Sequence, residues 1–187
     1  ERYVDIVEVG GSTPSSPTMC MENIKITLPD KTIKTVPLRT TPQQIADEIG
    51  SGLSRSVLVA KIDGDLSDLN TQLLQDCSLE LFTGDTPEGH DALLHSTAHL
   101  MAQAVKELHP KAKVTIGPTI ENGFYYDFDI EFTFSEENLL EIEKKMKELA
   151  KSSQDIKRKE ISVQDAISLF EDKGEDYKVE IIKQIDP

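Results

Sequence analysis

Two histidines four residues apart, His95 and His99, are the side chains of this sequence whose type and spacing fit a reactive site. In a helix, side chains four positions apart project from the same face, so the two imidazoles would point toward one place. Such a pair can bind a metal ion, or it can orient a water molecule and a substrate hydroxyl. Two partly buried histidines bonded to the backbone or to each other would show the same spacing, so the pair alone leaves its role open.

The residues between the histidines argue against one metal-dependent chemistry. The HExxH helix of metalloproteases carries its glutamate general base directly after the first histidine, and Ser96 occupies that position here. A third metal ligand at a useful spacing is also missing from the sequence. We therefore expect no metal in this site.

A long amphipathic helix must carry the pair. Apolar residues recur at helical spacing from 94 to 108, which predicts a helix over residues 91–108. The predicted buried stripe is Leu94, Ala98, Met101, Val105 and Leu108. His95, His99 and Ala102 form the neighbouring row, at the edge of that stripe.

A glycine-punctuated aromatic segment follows the helix. Residues 113–116 are strand-like and end at Gly117-Pro118, and Asn122-Gly123 predicts a type I′ hairpin turn. Alternation over 124–129 puts one set of aromatic residues on a common face: Phe124, Tyr126 and Phe128. Tyr126 is thus either a core residue or a wall of the histidine site, and Gly117 is open to a simple turn role.

The rest of this module predicts two further helices and two strands. A helix over 135–151 begins at a Ser135 cap and buries one apolar stripe. A strand around Ile161 leads into a second helix, capped by Ser162 and ending at Lys173-Gly174. The β-branched run at 179–182 predicts a final strand. The predicted apolar stripe of the helix over 135–151 is Leu139, Ile142, Met146 and Leu149.

The preceding residues predict a small β-grasp module with no chemistry of its own. Strands at 24–28, 33–36, 57–62 and 78–82 surround one short helix after Thr41-Pro42. Its apolar stripe is Ile45, Ala46 and Ile49, and Leu66, Leu69 and Leu73 are expected to cover an end of the core. The overall fold class is therefore α+β, a β-grasp module followed by an α+β module with an antiparallel sheet and packed helices.

Composition and charge narrow the function classes. The 187-residue chain has a net charge of -14, most of it in the second module, which disfavours autonomous nucleic-acid binding. No apolar run suggests a membrane span, so we expect no membrane partner. Cys20 and Cys77 lack CxxC spacing, which favours a reducing compartment, and we expect a cytoplasmic protein.

Three segments follow from this organisation. Residues 1–21 begin without Met and contain a Gly/Ser/Pro-rich stretch, which predicts a flexible leader, with organellar targeting left open. We place the β-grasp module at 22–84 and the histidine-bearing module at 85–187.

Four stretches together resemble a known family. They are His95-Ser-Thr-Ala-His99, Ile116-Gly-Pro118, Glu121-Asn-Gly-Phe-Tyr-Tyr-Asp127 and Lys173-Gly-Glu-Asp-Tyr-Lys178. They look like the editing domain in the N-terminal part of threonyl-tRNA synthetases, and the β-grasp module resembles the TGS domain that precedes it. The resemblance covers roughly residues 22 to 186.

The resemblance implies a proofreading site that hydrolyses serine wrongly attached to the threonine tRNA. In such a site His95 and His99 would orient the ribose hydroxyl and the attacking water, and Lys178 would supply positive charge near the developing oxyanion. Tyr126 would shape the pocket, and Gly117 would lie near the substrate.

This sequence departs from the family at its end. The family completes the site with a downstream Cys-Arg-Gly-Pro-His segment, and its aminoacylation motifs lie further along still. We therefore expect an N-terminal fragment with a truncated editing domain and little deacylation of its own. The parent enzyme would use ATP, Mg²⁺ and Zn²⁺ in a separate catalytic core, bind the acceptor end of tRNA(Thr), and dimerise through other domains.

Two other interpretations remain. Alanyl-type editing domains, including free-standing ones, share the HxxxH helix and the aromatic stretch and use zinc in that site. A noncatalytic RNA-binding or regulatory module is the other, because TGS domains also occur in GTPases and stringent-response proteins.

Overall fold

The computed structural model describes residues 3–9, 22–152, 154 and 156–185. They fall into two compact units, and the division lies within one long helix, between Leu94 and His95. Strand β1 (Tyr3–Val9) belongs to the second unit, and the first unit begins with strand β2.

The first unit contains five strands and two short helices. In chain order these are β2 (Asn23–Thr27), β3 (Ile33–Pro37), α1 (Pro42–Ile49), α2 (Ser51–Ser56), β4 (Val57–Ile62), β5 (Asp65–Ser67) and β6 (Cys77–Thr83). The strands form one sheet in the order β3-β2-β6-β4-β5. Strands β2 and β6 run parallel and the other neighbours antiparallel, and α1 packs against β4 and β6. This confirms the β-grasp prediction.

Local sequence explains where α1 begins. The Thr41 side chain accepts a hydrogen bond from the Gln44 backbone N–H, the Gln44 side-chain oxygen accepts one from the Thr41 backbone N–H, and Pro42 occupies the first turn. Ile45 and Ala46 are fully buried, as predicted. Ile49 is 46% exposed, so its place in the predicted stripe was wrong: the stripe ends one turn earlier.

The core of this unit lies between α1 and the sheet. Its fully buried apolar side chains include Ile26, Ile45 and Leu79, and Leu73 closes one end at 2% exposure. Leu66 does not join them, because it lies in the edge strand β5 and is 56% exposed. Its predicted role in covering the core was therefore wrong, whereas Leu69 packs against the cluster.

The long helix α3 (Pro87–Leu108) begins earlier than predicted. Thr86 accepts a hydrogen bond from the Gly89 N–H at 3.2 Å, which is a helix cap. A Cβ on Gly89 would lie 2.0 Å from the Thr83 carbonyl oxygen, so only glycine fits there. The stretch 86–89 is thus the first turn of the helix.

The second unit combines helices with three short antiparallel sheets. After α3 come β7 (Lys113–Val114), β8 (Thr119–Ile120), β9 (Gly123–Phe124), β10 (Phe128–Asp129), α4 (Glu136–Ser152), β11 (Ile156–Ser162), α5 (Val163–Asp172) and α6 (Asp176–Gln184). The strand pairs are β1 with β11, β7 with β10, and β8 with β9. Among the described residues the predicted antiparallel sheet is thus three two-stranded ribbons.

The core of the second unit joins α3 to α4. Its buried members are Ala104, Val105, Ala112, Ile142 and Leu149. Met146 packs against this cluster as predicted, but Leu139 is 56% exposed because it lies in the first turn of α4.

Residues 3–9 correct part of the predicted leader. They form β1, antiparallel to β11 with Tyr3 opposite Ser162 and Val9 opposite Ile156. The segment Tyr-Val-Asp-Ile-Val-Glu-Val is rich in the β-branched residues that favour strands. The glycine-rich stretch on which the leader prediction rested falls at 10–21, outside the described residues.

Two local predictions in the second unit were also wrong. Residues 179–182 are helical, within α6, because Val179 and Ile182 are buried three positions apart, which is a helix period. The hairpin turn is Glu121-Asn122, since Ile120 pairs with Gly123, and neither turn residue has the positive φ of a type I′ turn.

The first unit's core provides a stability prediction. Ile45→Ala removes a side chain of zero exposure and should lower the free energy of unfolding by about 2–5 kcal/mol. Urea denaturation, followed through NMR resonances of residues 22–83, measures it. Ile33→Ala is the control: Ile33 is 62% exposed, and its loss should change stability by about 0.5 kcal/mol or less. Equal effects of the two variants would contradict this account of the core.

Candidate functional site

Helix α3 brings the two histidines into direct contact. The Nε2 atoms of His95 and His99 lie 3.0 Å apart, and the ring centroids lie 4.7 Å apart. Both residues are exposed, while Ala98 and Ala102 on the adjoining face are buried. A hydrogen bond between two Nε2 atoms needs one donor and one acceptor, so this contact holds one proton and one lone pair.

The electrostatics of the pair favour a neutral His99. Partial burial of the His99 ring, then the neighbouring His95 and Lys178, lower its pKa below the usual 6.5. A histidine with a lowered pKa keeps its lone pair near neutral pH. The pair can therefore accept a proton under those conditions.

Lys178 is the cation that acts on His99. It lies in the first turn of α6, and the buried Val179 and Ile182 fix that helix in place. Its ammonium lies 5.2 Å from the centroid of the Phe170 ring, within the range of a cation–π contact. Desolvation lowers the pKa of Lys178, and the nearby charge of Glu175 opposes that shift.

Gly117 and Tyr126 form the aromatic side of the unit. A Cβ on Gly117 would lie 2.1 Å from the Tyr126 ring, so this ring packs directly on the glycine backbone. Tyr126 stacks on Phe128 at a centroid distance of 5.0 Å and an interplanar angle of 22°. Desolvation and the charge of Glu175 raise the pKa of Tyr126. A close contact with the Tyr126 ring, and not the predicted turn, thus requires glycine at position 117.

Two functional candidates were missed by the sequence reasoning. Glu175 is a buried carboxylate, 7% exposed, and its Oε1 lies 2.8 Å from Lys106 Nζ. Lys106 also donates to the Ala112 carbonyl oxygen at 3.0 Å. Glu175 falls inside one of the stretches that carried the resemblance, and Lys106 extends the row of His95, His99 and Ala102 by one turn. The place of Glu175 in that stretch and the place of Lys106 in that row were the signals in the sequence that could have pointed to these two residues.

These contacts group the predicted site residues into two clusters that Glu175 connects. One cluster is His95 and His99 with Lys178, and the other is Gly117 with Tyr126. The charge of Glu175 acts on both Lys178 and Tyr126. The rings of the two histidines contact each other, and the charge of Lys178 acts on His99.

A separate cavity of about 540 Å³ lies at the other end of α3. It is lined by Leu108 to Lys113 and Asp129 to Phe132, and none of the predicted site residues borders it. We therefore do not place the histidine chemistry there.

Three further features concern only the part of the chain that the structure describes. Within it, His, Cys, Asp and Glu side chains do not gather into any group of three or more that could hold a metal ion. None of the helices in those ranges has the length and apolarity to cross a membrane. Cys77 is buried as a free thiol, and Cys20 lies outside the described residues.

Comparison with known proteins identifies the first unit by class. Residues 24–83 match the TGS domain family, and they coincide with the β-grasp sheet and its helices. The match covers about a third of the chain and shows what this unit is similar to.

The wider chain is similar to threonine–tRNA ligases. It is 50% identical over 165 residues to that of Geobacter sp. strain M21, and 48% identical over 165 residues to that of Pelobacter propionicus. It is also 48% identical over 162 residues to that of Ralstonia nicotianae. These matches cover 87–88% of this chain, but the chain spans only 26%, about a quarter, of the length of each relative.

The contact between Gly117 and Tyr126 can be tested with one methyl group. Gly117→Ala should destabilise the second unit by about 1–3 kcal/mol, because the new Cβ forces the tyrosine ring or the backbone to move. Urea denaturation measures the loss, and near-ultraviolet circular dichroism reports displacement of the ring. Gly123→Ala is the matched control, since its Cβ would meet nothing closer than 4.0 Å. A Gly117→Ala protein as stable as the control would contradict the contact.

The proximity of Lys178 to the histidine pair predicts a titration. His99 should titrate below 6.5, and Lys178→Met should raise its pKa, because the substitution removes a positive charge that disfavours imidazolium. NMR titration of the imidazole protons measures both values. Lys183→Met, near the other end of α6, should leave the pKa of His99 unchanged. An unchanged pKa of His99 in the Lys178→Met protein would contradict an electrostatic effect of Lys178 on His99.

Proposed function

We propose that this chain is part of a threonine–tRNA ligase, and that residues 85–187 supply the histidine side of an editing site. That site hydrolyses serine wrongly attached to tRNA(Thr). The contact between His95 and His99, with a lowered His99 pKa beside Lys178, is the observation that carries the proposal. The 50% identity to a threonine–tRNA ligase over 88% of the chain supports tRNA(Thr) as the tRNA of the proposed substrate.

The chemistry of the two amino acids explains the need for such a site. Serine lacks one methyl group of threonine, and a methyl-sized difference provides only about 1–3 kcal/mol of discrimination in a binding pocket. A synthetic site that accepts threonine therefore also accepts some serine. Hydrolysis at a second site removes the wrong product.

Each residue has a definite part in the proposed hydrolysis. A ring nitrogen of the histidine pair that is not engaged in their mutual hydrogen bond takes a proton from water, and the water oxygen bonds to the ester carbonyl carbon. Negative charge then develops on the carbonyl oxygen, where the ammonium of Lys178 stabilises it. The ester bond breaks, and the ribose oxygen leaves with a proton returned by the histidine pair. Tyr126, held against Gly117, forms a wall of the pocket.

The other properties of the ligase belong to the same proposal. Aminoacylation with ATP, Mg²⁺ and Zn²⁺ would take place in a catalytic core formed by other parts of the protein, in the cytoplasm. The acceptor end of tRNA(Thr) would reach the editing site from that core, and dimerisation would use other domains. We assign the TGS domain no chemistry. The threonine–tRNA ligase relatives favour this proposal over an alanyl-type, zinc-dependent deacylase.

Substitution of the pair tests the proposal in the ligase that carries this chain. His95→Ala and His99→Ala should each reduce hydrolysis of seryl-tRNA(Thr) by about 10²-fold or more, because the proton acceptor is lost. Threonylation of tRNA(Thr) should stay unchanged. Quenched-flow deacylation of preformed, radiolabelled seryl-tRNA(Thr) measures the first, and aminoacylation measures the second.

The matched control is His90→Ala, an exposed histidine on the same helix. It should leave both rates unchanged. Wild-type deacylation by the His95 and His99 variants would refute the proposed function, and a zinc requirement for deacylation would favour the alanyl-type chemistry.

A further inference from the structure

We propose that Glu175, through its ion pair with Lys106, is a positioning residue that holds Lys178 beside the histidine pair. The inference rests on the proposed function, because it concerns the same site. It assigns work to two residues, Glu175 and Lys106, for which neither the sequence motif nor the comparisons suggest a role.

The first step is the anchor itself. Glu175 directly precedes α6, and its Oε1 accepts from Lys106 Nζ at 2.8 Å. Lys106 also donates to the carbonyl oxygen of Ala112, just before β7. One ammonium thus ties the start of α6 to α3 and to the segment that enters β7.

The second step is the spacing along both helices. His95, His99 and Lys106 follow each other on α3 at intervals of four and seven residues, so they share one face. On α6, the Lys178 backbone N–H bonds the Glu175 carbonyl oxygen at 3.0 Å, which makes a rigid first turn. The ion pair therefore joins the helix of the histidines to the turn that carries Lys178.

The third step is charge. Lys178 is only partly exposed, and Lys106 and Lys173 both disfavour its charged form. Phe170 faces its ammonium, and His99 lies close enough for their charges to interact. Among the described groups that act on the pKa of Lys178, Glu175 is the one that favours the charged form. A cation that must stabilise an oxyanion next to other cations needs such a compensating charge.

The unsatisfied oxygen of Glu175 argues against a purely structural role. Its Oε2 is buried and has no hydrogen-bond partner among the described residues. A buried carboxylate with one unpaired oxygen contributes little to folding stability, and groups of this kind are found where function requires them. Besides its ion pair with Lys106, Glu175 therefore acts electrostatically on two neighbours, Lys178 and Tyr126.

The experiment replaces the charge and keeps the shape. In this 187-residue chain, Glu175→Gln should lower the pKa of Lys178 and the pKa of Tyr126, because a negative charge favours ammonium and disfavours phenolate. NMR titration of 13C-labelled lysine and tyrosine measures both. In the ligase that carries the chain, the same variant should slow deacylation of seryl-tRNA(Thr) by about tenfold or more.

Two companion variants and one control separate positioning from stability. Lys106→Met should reproduce the slow deacylation, and Lys106→Arg, which keeps the ion pair, should restore at least half of the wild-type rate. These variants also serve if Glu175→Gln does not fold. The control is Glu171→Gln, which breaks the exposed Glu171–Lys183 pair between α5 and α6, 3.6 Å long, and should change neither pKa nor deacylation.

The outcomes distinguish this inference from the proposed function. If Lys178→Met abolishes deacylation while Glu175→Gln and Lys106→Met stay within twofold of wild type, the inference is wrong and the proposed function stands. A slower rate with an unchanged pKa of Lys178 would assign Glu175 a structural role and would also overturn it. If His95→Ala, His99→Ala and Lys178→Met all deacylate normally, the proposed function itself fails, whatever Glu175 does to the titrations.

Discussion

Helix α3 places His95, His99 and Lys106 along one face while Ala98, Ala104 and Val105 are buried on another, and the geometry of the site depends on this division. Ala104 and Val105 pack in the core that joins α3 to α4, and the ion pair of Lys106 with Glu175 connects the polar row to the start of α6. Because His95, His99 and Lys106 lie in one helix, the helical repeat fixes the spacing between them. The histidine pair and Lys106, the ion-pair partner of Glu175, thus lie on the same helix.

Two opposite electrostatic requirements meet at this face. A general base needs a neutral imidazole, and an oxyanion needs a cation beside it. A cation close to a histidine favours loss of the imidazolium proton. Partial burial of a lysine favours loss of the ammonium proton. The lowered pKa of His99 meets the first requirement. Burial works against the second, because desolvation lowers the pKa of Lys178, and the nearby charge of Glu175 opposes that shift. Glu175 supplies this charge at the start of α6, and Lys106 keeps it in place.

Sequence reasoning predicted the first unit well because several local signals agreed there. The Thr41-Pro42 cap, the alternating strands and the buried Ile45 all indicated the same β-grasp arrangement. In the second unit the signals conflicted. The β-branched run at 179–182 favours a strand, but burial of Val179 and Ile182 selects a helix, and this decision depends on tertiary packing that the local sequence does not contain.

The same distinction applies to the site. The spacing of His95 and His99 is legible because it lies within one helix, and the resemblance pointed to Lys178, Tyr126 and Gly117. The ion pair of Lys106 and Glu175 joins residues far apart in the sequence, so neither spacing nor periodicity could reveal it. A helical wheel shows Lys106 only as a polar residue on α3. Its ion pair with Glu175 becomes visible only in the folded unit, where the start of α6 lies beside it.

The packing of Tyr126 on Gly117 bears on how such a site could discriminate by size. A pocket that recognises serine must act on a single methyl group, and a wall that could move aside would exclude that group only weakly. Tyr126 cannot yield toward Gly117, because its ring already occupies the space where a Cβ would stand, and Phe128 stacks on it at 5.0 Å. A wall fixed in this way makes steric exclusion possible where attraction alone would be too weak. In the proposed editing site, Gly117 would contribute to selectivity because it lets the Tyr126 ring pack where the ring has no room to move back.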